Sequence, residues 1–240
     1  MIDTHCHIAQ LNFSKKLIPY LQKKKIYIIA VTNLPSIFNK LYRFQKSLSN
    51  VRLALGLHPL LYNKHEKEIN LFESLINKTS YIGEIGLDFS VRDYSAKNKQ
   101  IETLYIVLNL CKEMKKKYSI HSRKAELQVI EAIEKFKIEN CIFHWYTGKL
   151  QLIERILSLG CYFSINPRML NSDNGKKIIS KIPIERILLE SDAPYARNET
   201  LNNYEKGLNE INQYMVKHYG LSLNNVKHQL KNNFKSMFAG

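Results

Sequence analysis

Short apolar, β-branched runs alternate with longer stretches of helical period along this 240-residue chain, and that alternation leaves few folds open. Strands separated by helices pair in parallel, because a parallel connection needs a crossover of about a dozen residues or more. Strands are predicted at Ile2-Asp3, Tyr27 to Val31, Arg52 to Leu57, Tyr81 to Leu87, Ser119 to His121, Cys141 to His144, Tyr162 to Ile165 and Ile187 to Glu190. Eight such units in a chain close to about 250 residues predict an α/β fold of the TIM-type (β/α)8 barrel class. Between the strands, Glu66 to Ile76, Lys99 to Lys116, Ala125 to Lys137 and Leu150 to Leu159 carry apolar residues three or four apart, as helices of an outer ring would. The tail from Asn202 to Phe238 reads as two further helices, with Gly220 stopping the first and Ser222 capping the second. The polar stretch Asn166 to Lys177 reads as an irregular loop over the site. No Gly/Ser-rich linker, low-complexity tract or fixed-period repeat divides the chain, so residues 1–240 are expected to form a single domain.

Thirty-six Lys and Arg against 21 Asp and Glu give a formal charge of +15. Such a balance points to a polyanionic partner, or to a lysine-rich background in which runs such as Lys23-Lys24-Lys25 and Lys115-Lys116-Lys117 are solvated helix ends. No apolar run is long enough to span a bilayer and no basic segment leads into an apolar one at the start, so the cytoplasm is the expected compartment and a membrane is not an expected partner. Cys6, Cys111, Cys141 and Cys161 are widely spaced with no CxxC pair, which suits reduced, buried thiols.

The polar residues of interest fall near the carboxyl ends of the predicted strands. His5 and His7 follow the first strand, His58 the third, Glu84 lies within the fourth, His121 and His144 end the fifth and sixth, and Asp192 follows the eighth. Side chains two apart on an extended strand leave on the same face, so His5 and His7 can reach one ion, while Cys6 points the other way into the packing. In a barrel this is the end where ligands from distant strands converge. Five of the eight histidines occupy such positions, which scattered core histidines would not do. His65, His218 and His228 lie in charged helical surroundings and read as surface residues. His58 reads as a hydrogen-bonding partner or substrate contact before a metal ligand, and Asp88 and Glu190 each read as either a ligand or a structural partner of one, with the partner role preferred for Asp88.

Several motifs in order carry a resemblance: Asp3-Thr4-His5-Cys6-His7, Gly56-Leu57-His58-Pro59, Gly83-Glu84-Ile85-Gly86-Leu87-Asp88, Ile120-His121-Ser122-Arg123, His144-Trp145-Tyr146-Thr147-Gly148, Leu189-Glu190-Ser191-Asp192-Ala193-Pro194 and Asn233 to Phe238. Together they resemble the TatD family of metal-dependent deoxyribonucleases. Val31-Thr32-Asn33-Leu34-Pro35, Ala54 to Pro59 and Phe163 to Leu170 further resemble its QatD branch, found in a bacterial anti-phage system. After Pro194 the chain departs from the family pattern, with a different polar stretch from Tyr195 to Tyr204.

The resemblance implies two divalent ions (Mg, Mn or Zn), with His5, His7 and Asp192 on one, His121 and His144 on the other, and Glu84 bridging. Two cations about 3.5–4 Å apart require an anionic bridge, which a two-oxygen carboxylate supplies, and together they acidify water for attack on a phosphodiester. Asp192 is then placed to accept a proton, beside Glu84 as a catalytic residue. Arg123 is expected either to contact a phosphate bidentately or to form a salt bridge at a helix start. Trp145 either packs in the core, as large aromatics usually do, or joins Tyr146 in stacking an unpaired base.

The expected activity is trimming of DNA, preferentially single-stranded and from the 3′ end, as the resemblance suggests. The same barrel and metals also serve ester and amide hydrolysis, including removal of D-amino acids from tRNA, and a catalytic subunit of an anti-phage complex is a third reading. Each uses the same ligands.

Overall fold

Every strand pairing is parallel in the computed structural model, which describes residues 1–11, 14–44, 47–196 and 200–238, with the backbone alone at 14, 15 and 238. The strands are β1 (Ile2–Cys6), β2 (Tyr27–Val31), β3 (Val51–Ala54), β4 (Tyr81–Gly86), β5 (Lys117–His121), β6 (Cys141–His144), β7 (Tyr162–Ile165) and β8 (Ile187–Leu189). They form one sheet in the order β1-β2-β3 and another in the order β4-β5-β6-β7-β8. This is the sequential α/β order of a TIM-type barrel, with two seams where the ladder gives way to single hydrogen bonds. At the first, Leu55 N–H donates to Tyr81 O and Gly83 N–H to Leu55 O, both at 2.9 Å. At the second, Thr4 Oγ1 donates to Leu189 O at 2.8 Å, and Asp192 N–H donates to His5 O at 2.9 Å.

Helices α1 (Ser14–Lys24), α2 (Pro35–Tyr42), α3 (His65–Leu75), α4 (Tyr94–Cys111), α5 (Glu126–Phe136), α6 (Ile153–Ser158), α7 (Asp173–Ile179), α8 (Leu201–Tyr219) and α9 (Leu223–Phe238) alternate with and follow the strands. Each lays an apolar stripe onto the sheets: Leu17 and Leu21 from α1, Phe72 from α3, Val129 and Ile133 from α5, Ile211 and Met215 from α8 are all buried. Burial of each such side chain contributes about 1.5–3 kcal/mol. Gly220 takes the left-handed conformation after α8 (φ 65°), and Ser222 Oγ accepts from Asn225 N–H at the start of α9, as the sequence predicts. All four cysteines are buried. Among the described residues no helix is long and apolar enough to cross a membrane.

Four expectations are corrected. The first strand extends to Cys6, because Thr4 and His5 are polar residues buried inside the fold, which an apolar pattern does not reveal. The third strand stops at Ala54, since the segment after it leaves β2 to bond with β4. The stretch from Asn166 to Lys177 is not an irregular loop: it holds a 3₁₀ turn, Met169–Asn171, and then most of α7. Ser172 caps that helix through Gly175 N–H, and Met169, Ile178 and Ile179 are buried beneath a polar exterior. His65 is buried rather than exposed, held by Thr103 Oγ1 at 2.9 Å, whereas His218 and His228 are exposed as expected.

Asn233, from the closing motif, joins α9 to the foot of β8 by donating Nδ2–H bonds to Ile184 O (2.6 Å) and Ile187 O (2.7 Å). Asn233→Ala is expected to cost about 1–3 kcal/mol, the range for leaving buried polar groups unpaired. Urea unfolding monitored by circular dichroism reads this directly, and a midpoint equal to that of the wild type contradicts the assignment.

Candidate metal centre

Two irregular strands aim the central side chains. Pairing of β1 with β2 shifts between Asp3 and Cys6, and pairing of β4 with β5 shifts between Ile82 and Ile85; bulges of this kind redirect side chains next to active sites. Glu84 sits in the second irregularity, where its N–H donates to Thr32 O (3.1 Å) and its carbonyl accepts from Leu57 N–H (3.0 Å). Gly56 permits this approach, since a Cβ there would lie 1.6 Å from Thr32 O and 2.7 Å from Glu84 N. Asp192 adopts a left-handed backbone (φ 46°) immediately after the β8 seam.

These backbones bring His5, His7, Glu84, His121, His144 and Asp192 into one buried cluster around the Glu84 carboxylate. On one side, Glu84 Oε2 lies 3.2 Å from His7 Nε2 and 3.5 Å from His5 Nε2, with Asp192 Oδ1 3.5 Å and 3.7 Å from the same two nitrogens. On the other, Glu84 Oε1 lies 2.7 Å from His121 Nδ1 and 2.9 Å from His144 Nε2. The His5 and His144 rings stack with centroids 3.9 Å apart, which closes the cluster between the two sides.

A second layer fixes the rings. His121 Nε2–H donates to Asp88 Oδ2 at 2.8 Å, Ser119 Oγ lies 2.7 Å from His5 Nδ1, and Glu190 Oε2 stands 3.7 Å from His144 Nδ1. Glu190 is itself held by Ser164 and Asn166. Asp88 and Glu190 thus both stand behind histidines. His58 is placed differently: its Nδ1 accepts from Leu60 N–H at 3.2 Å, so in the neutral ring Nε2 carries the proton and faces Glu84 Oε1 at 3.3 Å as a donor. Its carbonyl accepts from His65 Nε2–H (2.9 Å) and its N–H donates to Asn33 O (2.9 Å). The buried His65 therefore clamps the segment that carries His58.

Electrostatics follow from the packing. Burial pushes the Glu84 carboxyl up, but the surrounding His58, His144 and His121 outweigh it and hold the group well below its ordinary value. Burial pulls His7 down, yet the Asp192 and Glu84 carboxylates raise it to about 9. His144 is raised by Glu84 and Glu190 against the same burial, and His121 by Asp88 and Glu84. His5 is lowered, by burial and then by the charge of His144. Asp192 Oδ1 is buried without a hydrogen-bond donor, a costly state for a carboxylate oxygen. A cation satisfies it, and imidazole nitrogens with carboxylate oxygens are a donor set for divalent ions such as zinc, manganese or magnesium. The residues present therefore fit metal binding on both sides of Glu84.

Residues 2–239 match the family described as TatD related DNase. The chain belongs to the TatD family. It is 30% identical over 200 residues to an uncharacterised metal-dependent hydrolase of Methanocaldococcus jannaschii, covering 81% of this chain and 78% of that protein. To the human deoxyribonuclease TATDN3 it is 25% identical, covering 94% and 90% of the two chains. The crystal structure of YjjV, a TatD homologue from Escherichia coli K12, superposes with a TM-score of 0.85 at 23% identity over 99% of this chain and 97% of that one, which shows the shared fold. This TatD chain is accordingly a metal-dependent hydrolase.

The TatD site opens into a cleft of about 890 Å³. Arg123 lines it with an exposed side chain and forms no ion pair with a carboxylate among the described residues, so the helix-start salt bridge does not occur. Trp145 is half-buried: it packs against the core and also lines the cleft, on a left-handed backbone (φ 37°). Tyr146 is not available for stacking a base, because it is buried edge-on against Phe163 with its hydroxyl donating to Lys149 O. Leu60, Lys124, Arg168 and Tyr195 also line the cleft, and sequence reasoning did not single them out as site residues. Arg168 and Leu60 stand in motifs adjoining Asn166 and His58, which is the one signal that points to them. Tyr195 meets the His7 ring edge-on at 5.0 Å and opens the divergent stretch, of which 197–199 lie outside the described residues.

A histidine that binds a cation gives up the proton on the binding nitrogen, so metal affinity and proton release are linked. With His7 protonated up to about pH 9 and His121 and His144 also raised, cations compete with protons at neutral pH, and raising the pH removes the competitor. Apparent affinity for manganese is expected to rise from pH 6 toward 9, by about tenfold per pH unit for each proton displaced. Calorimetric titration of the metal-free protein in two buffers of different ionisation heat measures the protons released, and a flat affinity with no release contradicts this charge assignment.

Proposed function

We propose that the chain is a nuclease of two-metal type that removes nucleotides from DNA, acting on single strands from the 3′ end, with residues 1–240 as one domain. The observation that carries this reading is the division of the Glu84 carboxylate between two groups of ligand atoms, His5 and His7 at Oε2 with Asp192 Oδ1 beside those two nitrogens, and His121 and His144 at Oε1. Divalent ions held there supply charge stabilisation for a reacting phosphodiester and make water acidic enough to be a nucleophile. Magnesium, manganese and zinc all suit the donor set.

The protein groups around them divide the remaining work. Arg123, Lys124 and Arg168 line the cleft and attract the phosphate backbone, Arg123 with a fork that can grip two phosphate oxygens. Trp145 and Leu60 give apolar surface against which an unpaired base stacks and from which water is excluded. His58 Nε2–H is aimed at the centre and donates to Glu84 or to an oxygen of the substrate. Asp192 is the carboxylate beside His5 and His7 that is placed to accept a proton from the attacking water. A concavity of about 890 Å³ holds the end of one strand more readily than the side of a duplex. The 3′ polarity, the QatD branch and a place in an anti-phage complex rest on the sequence resemblance. The human relative named a deoxyribonuclease supports DNA as substrate. Esters such as D-aminoacyl-tRNA remain the comparison substrate, since the same ligands serve them.

Single-stranded DNA labelled at the 3′ or the 5′ end, incubated with magnesium or manganese, is expected to lose 3′ label first. Glu84→Gln and chelation should each abolish cleavage, while Asp88→Asn, which loosens His121, should lower activity or metal affinity by about 10–100-fold. Cleavage that persists in Glu84→Gln rejects this centre; no cleavage of DNA alongside hydrolysis of an aminoacyl ester rejects the nuclease assignment.

The net charge gives a separate check. Log affinity for single-stranded DNA should fall with log salt by roughly 0.7 for each phosphate contacted, and Arg123→Gln should reduce that slope by about one contact. A slope that is flat in the wild type removes the electrostatic part of the reading.

A further inference from the structure

A second concavity, of about 600 Å³, lies at the opposite end of the barrel from the metal centre. It is built at the amino ends of the central strands: Arg52 comes from the start of β3, Tyr81 opens β4, and Lys116 immediately precedes β5. Lys78 and Tyr42 complete its wall, and no Asp or Glu lines it.

Its cations have no anion within the concavity to offset them. Among the described residues neither Arg52, Lys78 nor Lys116 forms an ion pair with a carboxylate. Lys116 is only 8% exposed and its ammonium donates to two carbonyls, Ile76 O (2.6 Å) and Thr79 O (2.7 Å), which bind the group without neutralising it. Burial lowers its pKa accordingly. Arg52 spends one nitrogen on long bonds to Val51 O (3.2 Å) and Ser49 O (3.5 Å), leaving most of its guanidinium donors for a ligand. Lys78 Nζ stands 5.3 Å from the centre of the Tyr42 ring, which places its charge over an aromatic wall. Buried or clustered charges are normally paired, and three cations sharing one concavity repel one another and focus a positive potential within it.

We propose that this concavity binds a phosphomonoester of mononucleotide size, with the phosphate between Arg52, Lys78 and Lys116 and the organic part against Tyr42 and Tyr81. The chemistry selects that class. A dianionic phosphate offsets several cations at once and accepts the forked donors of arginine. The volume falls in the range of small-molecule sites, about 300–1,000 Å³, and a surface patch for a polymer would not need a hollow deep enough to reach the buried Lys116. The site shares no residue with the metal centre and does not depend on the reaction catalysed there.

Calorimetric titration of the full-length, metal-loaded protein with adenosine 5′-monophosphate, ribose 5-phosphate and inorganic phosphate tests this. Arg52→Gln combined with Lys78→Gln is expected to weaken phosphomonoester binding at this concavity by at least about tenfold, while Arg123→Gln alters only a separate binding event at the metal-centre cleft and leaves this one unchanged. Tighter binding of the nucleotide than of ribose 5-phosphate locates the base on the tyrosines, and equal binding assigns recognition to the sugar phosphate; both support the site. Both substituted side chains are exposed, so the thermal midpoint without ligand should stay at the wild-type value, and the single variant Lys78→Gln serves if the pair destabilises the fold. Equal affinity in the wild type and in the charge-depleted variant, loss only with Arg123→Gln, or no binding of any phosphomonoester overturns the proposal.

Discussion

The carboxylate of Glu84 is buried among imidazoles, and the rest of the structure is arranged around that constraint. An ionised carboxylate removed from water is costly unless positive charge or donors surround it, and here His7, His121, His144 and His58 all face its two oxygens. No single strand can provide that environment. It takes β1, β4, β5 and β6, the segment after β3 and the turn after β8, all converging at one end of parallel strands, which is what a barrel does and an open sheet does less well. The departures from regular pairing in β1 and β4 occur where His5 and Glu84 must turn inward. Gly56 belongs to the same constraint, because the segment carrying His58 must touch the backbone of Glu84.

The outer partners explain why the ring stays poised without a rigid cage of its own. Asp88 and Glu190 lie behind His121 and His144 and raise both, so each imidazole is oriented and made more basic by the carboxylate behind it. His7 has no such partner: its Nδ1 is buried without a hydrogen bond, and its elevated basicity comes from the carboxylates on the reacting side. The two halves of the centre are therefore unequal: His121 and His144 each have a carboxylate behind them, whereas His5 has the Ser119 hydroxyl and His7 relies on the carboxylates it faces.

Much of this was legible in the sequence where one physical signal dominated. β2, β6 and β7 begin and end at the predicted residues, because runs such as Tyr27-Ile28-Ile29-Ala30-Val31 are apolar throughout and this one stops at the polar Thr32. The fold class and the clustering of polar residues at strand ends follow from the same alternation. What failed were places where burial and polarity part company. β1 carries buried Asp3, Thr4 and His5, which read as a strand already finished. His65 looks like a surface residue among charges, yet its two ring nitrogens are satisfied internally, which a helical pattern does not register. α7 hides two buried apolar side chains, Ile178 and Ile179, behind Asn, Asp, Gly and Lys. Trp145 and Tyr146 are neighbours with opposite fates because the left-handed backbone at Trp145 turns the chain, and no composition rule places such a turn.

The excess of basic residues gains meaning from where its members meet in a concavity without pairing to a carboxylate. Lysine and arginine can accumulate on any surface, and pairs such as Lys24 with Glu205 and Arg155 with Glu134 are what a merely basic background yields: each cation has found an acid on a neighbouring helix. Such exposed pairs contribute little and attract nothing. The two concavities are different. Arg123, Lys124 and Arg168 surround the mouth above the metal centre, and Arg52, Lys78 and Lys116 surround the hollow at the far end. A field is set by charge that remains uncompensated within about a Debye length, and concave low-dielectric walls concentrate it. A total of +15 distributed evenly would give a diffuse preference for anions; three cations at each hollow add two local maxima to that background. The metal centre also needs the first of these, because a substrate phosphate approaching the Glu84 and Asp192 carboxylates meets negative charge until cations are bound, and the basic rim offsets that repulsion from the side the substrate enters.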